Sequence, residues 1–208
     1  MLEFRLYHSQ FPLMTMRDRD IRSALMNDLR LSHLGDPDTA IVEELSIRRN
    51  GARIDVALVN GTVHGFELKS DFDTLCRLPE QAPAYSEVCD HATLVVGERH
   101  VLKAIELVPD WWGIRVVRRN SATVAFRDLK LAQINPCTSP TAVAQLLRRE
   151  EVLNILISLG IESEGTRASR QQLCLTLAKT VEFSMLSEKV RCCLRARQSA
   201  GIRPSCDD

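Results

Sequence analysis

The sequence predicts an α/β fold: a helix, a three-strand meander, a helix and a strand, forming a mixed sheet that is followed by a helical C-terminal extension. Three observations carry this. From Arg17 to Leu34, Ile21, Leu25 and Leu29 recur at helical spacing, with Asp and Arg on the opposite side. Between Ile41 and Ser70 the apolar period shortens to two, with Asn60-Gly61 as a hairpin signal because both residues tolerate positive φ. After Asn135-Pro136-Cys137-Thr138 the spacing is helical again.

Each element has its own signal. Gly35-Asp36-Pro37-Asp38 ends the first helix. Ile41–Arg48 is the first strand. In the second, Arg53–Val59, alternation puts Ile54, Val56 and Leu58 on one face and Asp55, Ala57 and Val59 on the other. Val63–Ser70 returns as the third strand. Thr74–Asp90 is a helix carrying Pro79 and Pro83, with Asp73 as its expected N-cap. Ala92–Val96, His100–Leu107 and Gly113–Val117 follow as strand, helix and strand. Ser139-Pro140 opens a helix whose apolar side is Leu146, Leu147, Leu153, Leu156 and Ile157 and which Gly160 closes. Helices at about 169–180 and 184–197 complete the chain, and the residues after Gly201 are expected to fray. The two expected units are therefore 1–136 and 137–208.

Composition narrows the function classes. The 208 residues hold 27 Lys plus Arg and 27 Asp plus Glu, with 45% hydrophobic residues. A disordered chain or a polycationic tail is excluded by that balance, while a local basic face is not. No apolar run is long enough to span a membrane, and residues 1–14 make a poor signal peptide. Seven scattered cysteines (Cys76, Cys89, Cys137, Cys174, Cys192, Cys193 and Cys206), with no C-x-x-C, fit reduced thiols and a cytoplasmic location.

Within about 25 residues the chain sets Glu44 on one strand, Asp55 on the next and Glu67-Leu68-Lys69 on the third. Acidic residues on otherwise apolar strands are costly unless a cation or hydrogen bonds meet them. Two carboxylates and a lysine converging on adjacent strands suit a hard divalent ion such as Mg²⁺, which activates water and polarises a phosphoryl oxygen. Lys69 would then orient the water or offset charge on the phosphate. Strand register tests this. A two-residue loop at Asn60-Gly61 pairs Asp55 with Phe66 and puts it on the wrong face for Glu67. A shared site requires a three-residue loop, or a bulge for which Gly65 is the natural position.

These residues resemble the PD-(D/E)XK nuclease superfamily, whose restriction-endonuclease-like core has the same element order. The match rests on Asp55, Glu67 and Lys69, with Glu44 upstream in Val42-Glu43-Glu44-Leu45. Ile54 stands where the superfamily has its literal proline. Gln81-Ala82-Pro83-Ala84-Tyr85 resembles the Q-x-x-x-Y motif of RecB-type members, with Pro83 implying a kink or a late helix start. The stretch from Phe66 to Gln81, together with Pro109–Gly113 and Leu147–Glu150, is similar to a narrower family of small bacterial proteins and extends the likeness from about Asp18 to Arg197.

The resemblance implies a metal-dependent nuclease hydrolysing phosphodiester bonds in DNA, in repair, recombination or defence. It implies Mg²⁺, with Mn²⁺ as a substitute, held by Asp55, Glu67, the Leu68 carbonyl and Glu44. The catalytic set is Glu44, Asp55, Glu67, Lys69 and Gln81, and Arg77, Gln81 and Tyr85 meet the nucleic acid. Strand parity lets only one of Glu43 and Glu44 face the site, and the motif selects Glu44. DNA is the implied partner, and a homodimer is among the assemblies of this fold. The alternative is a catalytically silent nuclease-fold module that binds nucleic acid or a partner protein.

Other residues have competing roles. Asp71 is either a turn residue or a supporting partner of the site. Trp111-Trp112 suits a core more than base stacking, and His64 and His91 are structural. Arg148-Arg149, Arg191, Arg195 and Arg197 either grip phosphates or belong to solvated helices beside Glu150, Glu151 and Glu188.

Overall fold

The computed structural model describes residues 15–47, 51–119, 124–161 and 168–201. Residues 1–14, Arg48, Cys206 and the tail after Gly201 lie outside the described residues. The chain order is α1 (Asp18–Ser32), β1 (Ala40–Ser46), β2 (Arg53–Val59), β3 (Val63–Lys69), α2 (Leu78–Val88), β4 (His91–Gly97), α3 (Val101–Ile105), β5 (Gly113–Arg119), β6 (Val124–Lys130), α4 (Pro140–Ala144), α5 (Arg149–Ser158), α6 (Arg170–Thr180) and α7 (Phe183–Gly201). The six strands form one mixed sheet in sequential order. β1, β2 and β3 are an antiparallel meander, β3, β4 and β5 run parallel, and β6 returns antiparallel.

α1 covers one face. Asp18 and Asp20 sit in its first turn, where the helix dipole favours acids, and Gly35 at φ +80° follows its end. Its Ile21, Leu25 and Leu29 pack on Val56, Leu58, Phe66, Leu68, Val95 and Val117. The other face carries α2 and the later helices over Ala57, Val59, Val63, Leu94 and Val96. This second core runs without interruption into Leu147, Leu156, Leu173, Leu177 and Leu194. The helices after residue 137 therefore share one core with the sheet. Asn135, expected at a boundary, is buried, and its amide donates to the carbonyls of Ser86 (2.7 Å) and Cys89 (2.8 Å).

The hairpin has the register the chemistry requires. Val59 pairs with Val63 and Val56 with Phe66, so the loop is the three residues Asn60, Gly61 and Thr62. Positive φ is not what closes it. The Asn60 side chain accepts from Thr62 N at 3.1 Å, and Asn60 N donates to the Thr62 carbonyl at 3.0 Å. Pairing stays regular through Gly65, which is not a bulge.

Several expectations are corrected. Ile54 does not share the α1-side core with Val56 and Leu58, and belongs with Leu45 and Ile47 to the opposite cluster. Regular pairing of β1 with β2 skips the Glu44–Asp55 position, where Glu44 has φ +52°, and the chain changes face there. Asp73 does not cap α2, because Pro79 favours a start at Leu78; its carboxylate instead closes a turn onto Ser70 N and Oγ at 2.8 and 2.6 Å. The helix expected from Pro140 to Gly160 breaks into α4 and α5, and Ile157 is exposed. β6 has no counterpart in the sequence reading. It is an outer strand with no fully buried residue, so its apolar alternation is weak.

Candidate functional site

β2 and β3 build the site at the end where their ladder opens. One step beyond the Val56–Phe66 pair stand Asp55 and Glu67, on the face that α2 covers. There a side chain replaces the backbone ladder: Asp55 Oδ2 accepts from Leu68 N at 2.9 Å. Glu67 is 1% exposed and meets two donors, Lys69 Nζ on Oε1 at 2.5 Å and the Tyr85 hydroxyl on Oε2 at 2.7 Å. Lys69 Nζ also donates to Gln81 Oε1 at 2.9 Å. Asp55 N donates to the Tyr85 oxygen at 3.2 Å, so one phenol joins the Asp55 backbone to the Glu67 carboxylate. Burying Glu67 is tolerable only because a cation and a hydroxyl satisfy both its oxygens.

α2 supplies Gln81 and Tyr85 one turn apart. It starts late, at Leu78, with Pro79 in the first turn where a missing N–H costs nothing. Gly65 lets the helix approach. A Cβ there would lie 2.8 Å from Cys89 Sγ and 3.0 Å from the Tyr85 ring. Gly65→Ala is therefore expected to lower stability by about 1–3 kcal/mol and to move the Tyr85 hydroxyl off Glu67; chemical denaturation, with tyrosine absorbance as the local probe, checks both.

α1 contributes a residue that the sequence motifs miss. Arg22 Nη1 donates to the Asp55 carbonyl at 2.7 Å and lies 3.0 Å from Glu44 Oε1, and its Nη2 lies 3.2 Å from Asp55 Oδ1. Asp18 Oδ2 pairs with Arg22 Nε at 3.3 Å. Arg53 takes the other Glu44 oxygen at 3.1 Å. The only local signal is Asp18 one turn before Arg22, and α1 carries other Asp and Arg residues that hide it. Glu44, not Glu43, shares this arginine with Asp55. Its left-handed backbone is one that non-glycine residues adopt at a cost, usually at functional sites.

Burial, then the neighbouring Glu67, pushes the Asp55 carboxyl up to about 6, against the lowering effects of the Leu68 N–H, Arg22 and Lys69. Burial and the same two carboxylates hold the Tyr85 hydroxyl well above the usual phenol range, so it stays a proton donor. A cleft of about 400 Å³ opens over Asp55 and Gln81, with Arg53 and Arg77 among its walls.

The predicted residues thus divide. Asp55, Glu67, Lys69, Gln81 and Tyr85 come together, and Arg77 is exposed at the cleft wall. Tyr85 is fully buried and serves Glu67, so the expected contact with nucleic acid does not fall to it. Glu44 turns to Arg22 and Arg53, and among the described residues no three His, Cys, Asp or Glu side chains are grouped to hold one ion. The donor chemistry still fits a hard cation, since Asp55, Glu67 and the Leu68 carbonyl offer oxygens at one end of the sheet. Each Asp55 and Glu67 oxygen carries one donor, so an ion there shares its oxygens with Arg22 and Lys69 and competes with their charge.

Other candidates have structural partners. Asp71 Oδ2 accepts from Met16 N at 2.9 Å and tethers the segment before α1. Trp111 and Trp112 are buried beside Tyr85. Burial, with His91 and Arg115 nearby, lowers His64 to about 4, and its Nε2 sits 2.8 Å from Thr93 Oγ1. Arg191 pairs with Glu188 at 2.7 Å, and Arg197 pairs with Glu151 and the Leu146 carbonyl. Arg195 reaches Glu188 and, at 3.1 Å, the Asn60 carbonyl.

Fold and site together define an α/β protein with a six-stranded mixed sheet and a buried carboxylate–lysine–tyrosine cluster at the open end of its hairpin. Among the described residues no helix is long and apolar enough to cross a membrane. The chain belongs to the Bacteriophage P4 protein cII family, whose model matches residues 13–201. It is 26% identical over 180 residues to Protein cII of Enterobacteria phage P4, covering 85% of this chain and 68% of that protein. No solved structure matches it.

Proposed function

We propose that the protein is a metal-dependent nuclease of the PD-(D/E)XK type, hydrolysing phosphodiester bonds in DNA in the cytoplasm with Mg²⁺ or Mn²⁺. The observation that carries this is the three-residue hairpin register, which sets Asp55 opposite Glu67 and puts Lys69 on the same face. The element order α1, three-strand meander, α2 and a strand parallel to β3 supports a restriction-endonuclease-like core.

Asp55, Glu67 and the Leu68 carbonyl would hold the ion, with Glu44 beside them. The ion supplies a water of lowered pKa and an electrophile for a phosphoryl oxygen. The chain supplies position and charge. Glu67 and Gln81 hold the Lys69 ammonium from two sides at 2.5 and 2.9 Å, which fixes it to orient water and to stabilise charge on the phosphate. Tyr85 locks Glu67 from below, and Arg77 on the cleft wall takes a flanking phosphate.

One observation favours the second reading, a catalytically silent module binding nucleic acid or a partner protein: every oxygen of Asp55 and Glu67 is already engaged. A substrate panel separates the two. Single-stranded, duplex, flapped and branched DNA, with RNA as control, are incubated with Mg²⁺, Mn²⁺ or EDTA. Cleavage of a DNA form that requires metal and disappears in Asp55→Asn and Lys69→Met is expected. Equal cutting by parent and variants rejects this site, and DNA binding without cutting in either metal selects the silent module.

A further inference from the structure

Arg22 lies outside every motif that pointed to the site, yet it is the cation seated between Glu44 and Asp55. Its side chain is 18% exposed and reaches from α1 to the interruption in the β1–β2 ladder. Its fork spans Glu44 Oε1 at 3.0 Å and Asp55 Oδ1 at 3.2 Å, and it also holds the Asp55 carbonyl at 2.7 Å. Asp18 steadies it from the first turn of its own helix. Without Arg22, two acids opposite one another at the break in the ladder would repel, and the left-handed Glu44 would keep only the more exposed Arg53 as its partner.

We infer that Arg22 is a charge placeholder: it keeps Glu44 and Asp55 in position before a divalent ion binds, and it loosens its hold on Asp55 when the ion arrives. The inference rests on the metal-centre reading above. A divalent ion and a guanidinium cannot both take the same face of Asp55 without repulsion, so each weakens the other's hold. That coupling is reciprocal. Removing Arg22 therefore tightens the metal while loosening the metal-free protein. A residue that only braced the fold would do the second and not the first.

Mn²⁺ is titrated calorimetrically into the full chain, as parent, Arg22→Gln and Arg22→Lys, and each is melted in EDTA and in Mn²⁺. Arg22→Gln is expected to bind Mn²⁺ about tenfold tighter than the parent, to melt lower in EDTA, and to recover that loss in Mn²⁺. Arg22→Lys, whose ammonium pairs with one carboxylate at a time, gives a smaller tightening; if Arg22→Gln does not fold in EDTA, the lysine variant decides alone. Mn²⁺ binding by the parent with equal or weaker binding by the variants overturns the placeholder and leaves the metal centre standing. No binding by parent or variants overturns both.

Discussion

Lys69→Met is expected to lose about 3 kcal/mol of stability, and adding Glu67→Gln to it is expected to return most of that loss. Glu67 is 1% exposed and its Oε1 depends on the Lys69 ammonium at 2.5 Å. Methionine fills the space of the lysine stem but leaves a carboxylate buried with the Tyr85 hydroxyl and no cation. The loss belongs to the stranded charge, not to the pair as such, because a buried ion pair roughly balances its own desolvation. A glutamine at 67 removes the charge and still accepts from Tyr85. Urea denaturation of the parent, the two single variants and the double variant measures the coupling. Additive losses would mean that Lys69 and Glu67 are stabilised separately. All three variants are expected to be inactive on DNA, so the double variant separates catalysis from folding: it is stable and silent.

Asp55→Asn is expected to be more stable than the parent at about pH 8, by about 1–2 kcal/mol, while abolishing cleavage. The folded Asp55 carboxyl lies at about 6, pushed up by burial and by Glu67. The unfolded chain titrates near the ordinary aspartate value of about 4. Below about pH 4 the group is protonated in both states and costs nothing. Between about 4 and 6 the unfolded chain ionises first, and stability falls. Above about pH 6 the penalty is complete, at most about 3 kcal/mol from a shift of about two units. Asparagine removes this dependence, still accepts from Leu68 N, and gives up part of the gain with the Arg22 pair. Denaturation midpoints between about pH 4 and 8 should show parent and variant converging in acid, separating between about pH 4 and 6, and keeping a constant gap above that. Parallel curves would show that Asp55 titrates normally.

Much of this site could be read from the chain because its chemistry and its strand parity constrain each other. Asp55 and Glu67 share a face only if the hairpin loop has three residues, and it has. Gln81 was legible through the Q-x-x-x-Y-like stretch it opens, and the late start of α2 through Pro83. What stayed hidden depends on tertiary contact. Nothing local to Arg22 announces that α1 crosses the sheet where it can meet Asp55. Tyr85 reads as a nucleic-acid contact until Gly65 is seen to let the helix settle on the strand and bury it. The change of face at Glu44 and Asp55, which moves Ile54 into the other core, follows from a left-handed residue that carries no glycine signal. β6 escaped because a half-exposed outer strand shows little apolar alternation.

The hydrogen bond from Arg195 to the Asn60 carbonyl joins residues 135 positions apart, from α7 to the tip of the hairpin. A hairpin forms in microseconds, and in this one the two- and three-residue loops compete closely in sequence. A contact so distant along the chain closes late, since the entropy of the intervening loop is lost before the bond forms. Arg195 finds its acceptor where the three-residue loop presents it, so α7 braces the register in which Asp55 and Glu67 meet. The C-terminal helices thereby bear on the site from a distance: a slipped hairpin would carry the Asn60 carbonyl away from Arg195, so a docked α7 favours the register that aligns the carboxylates.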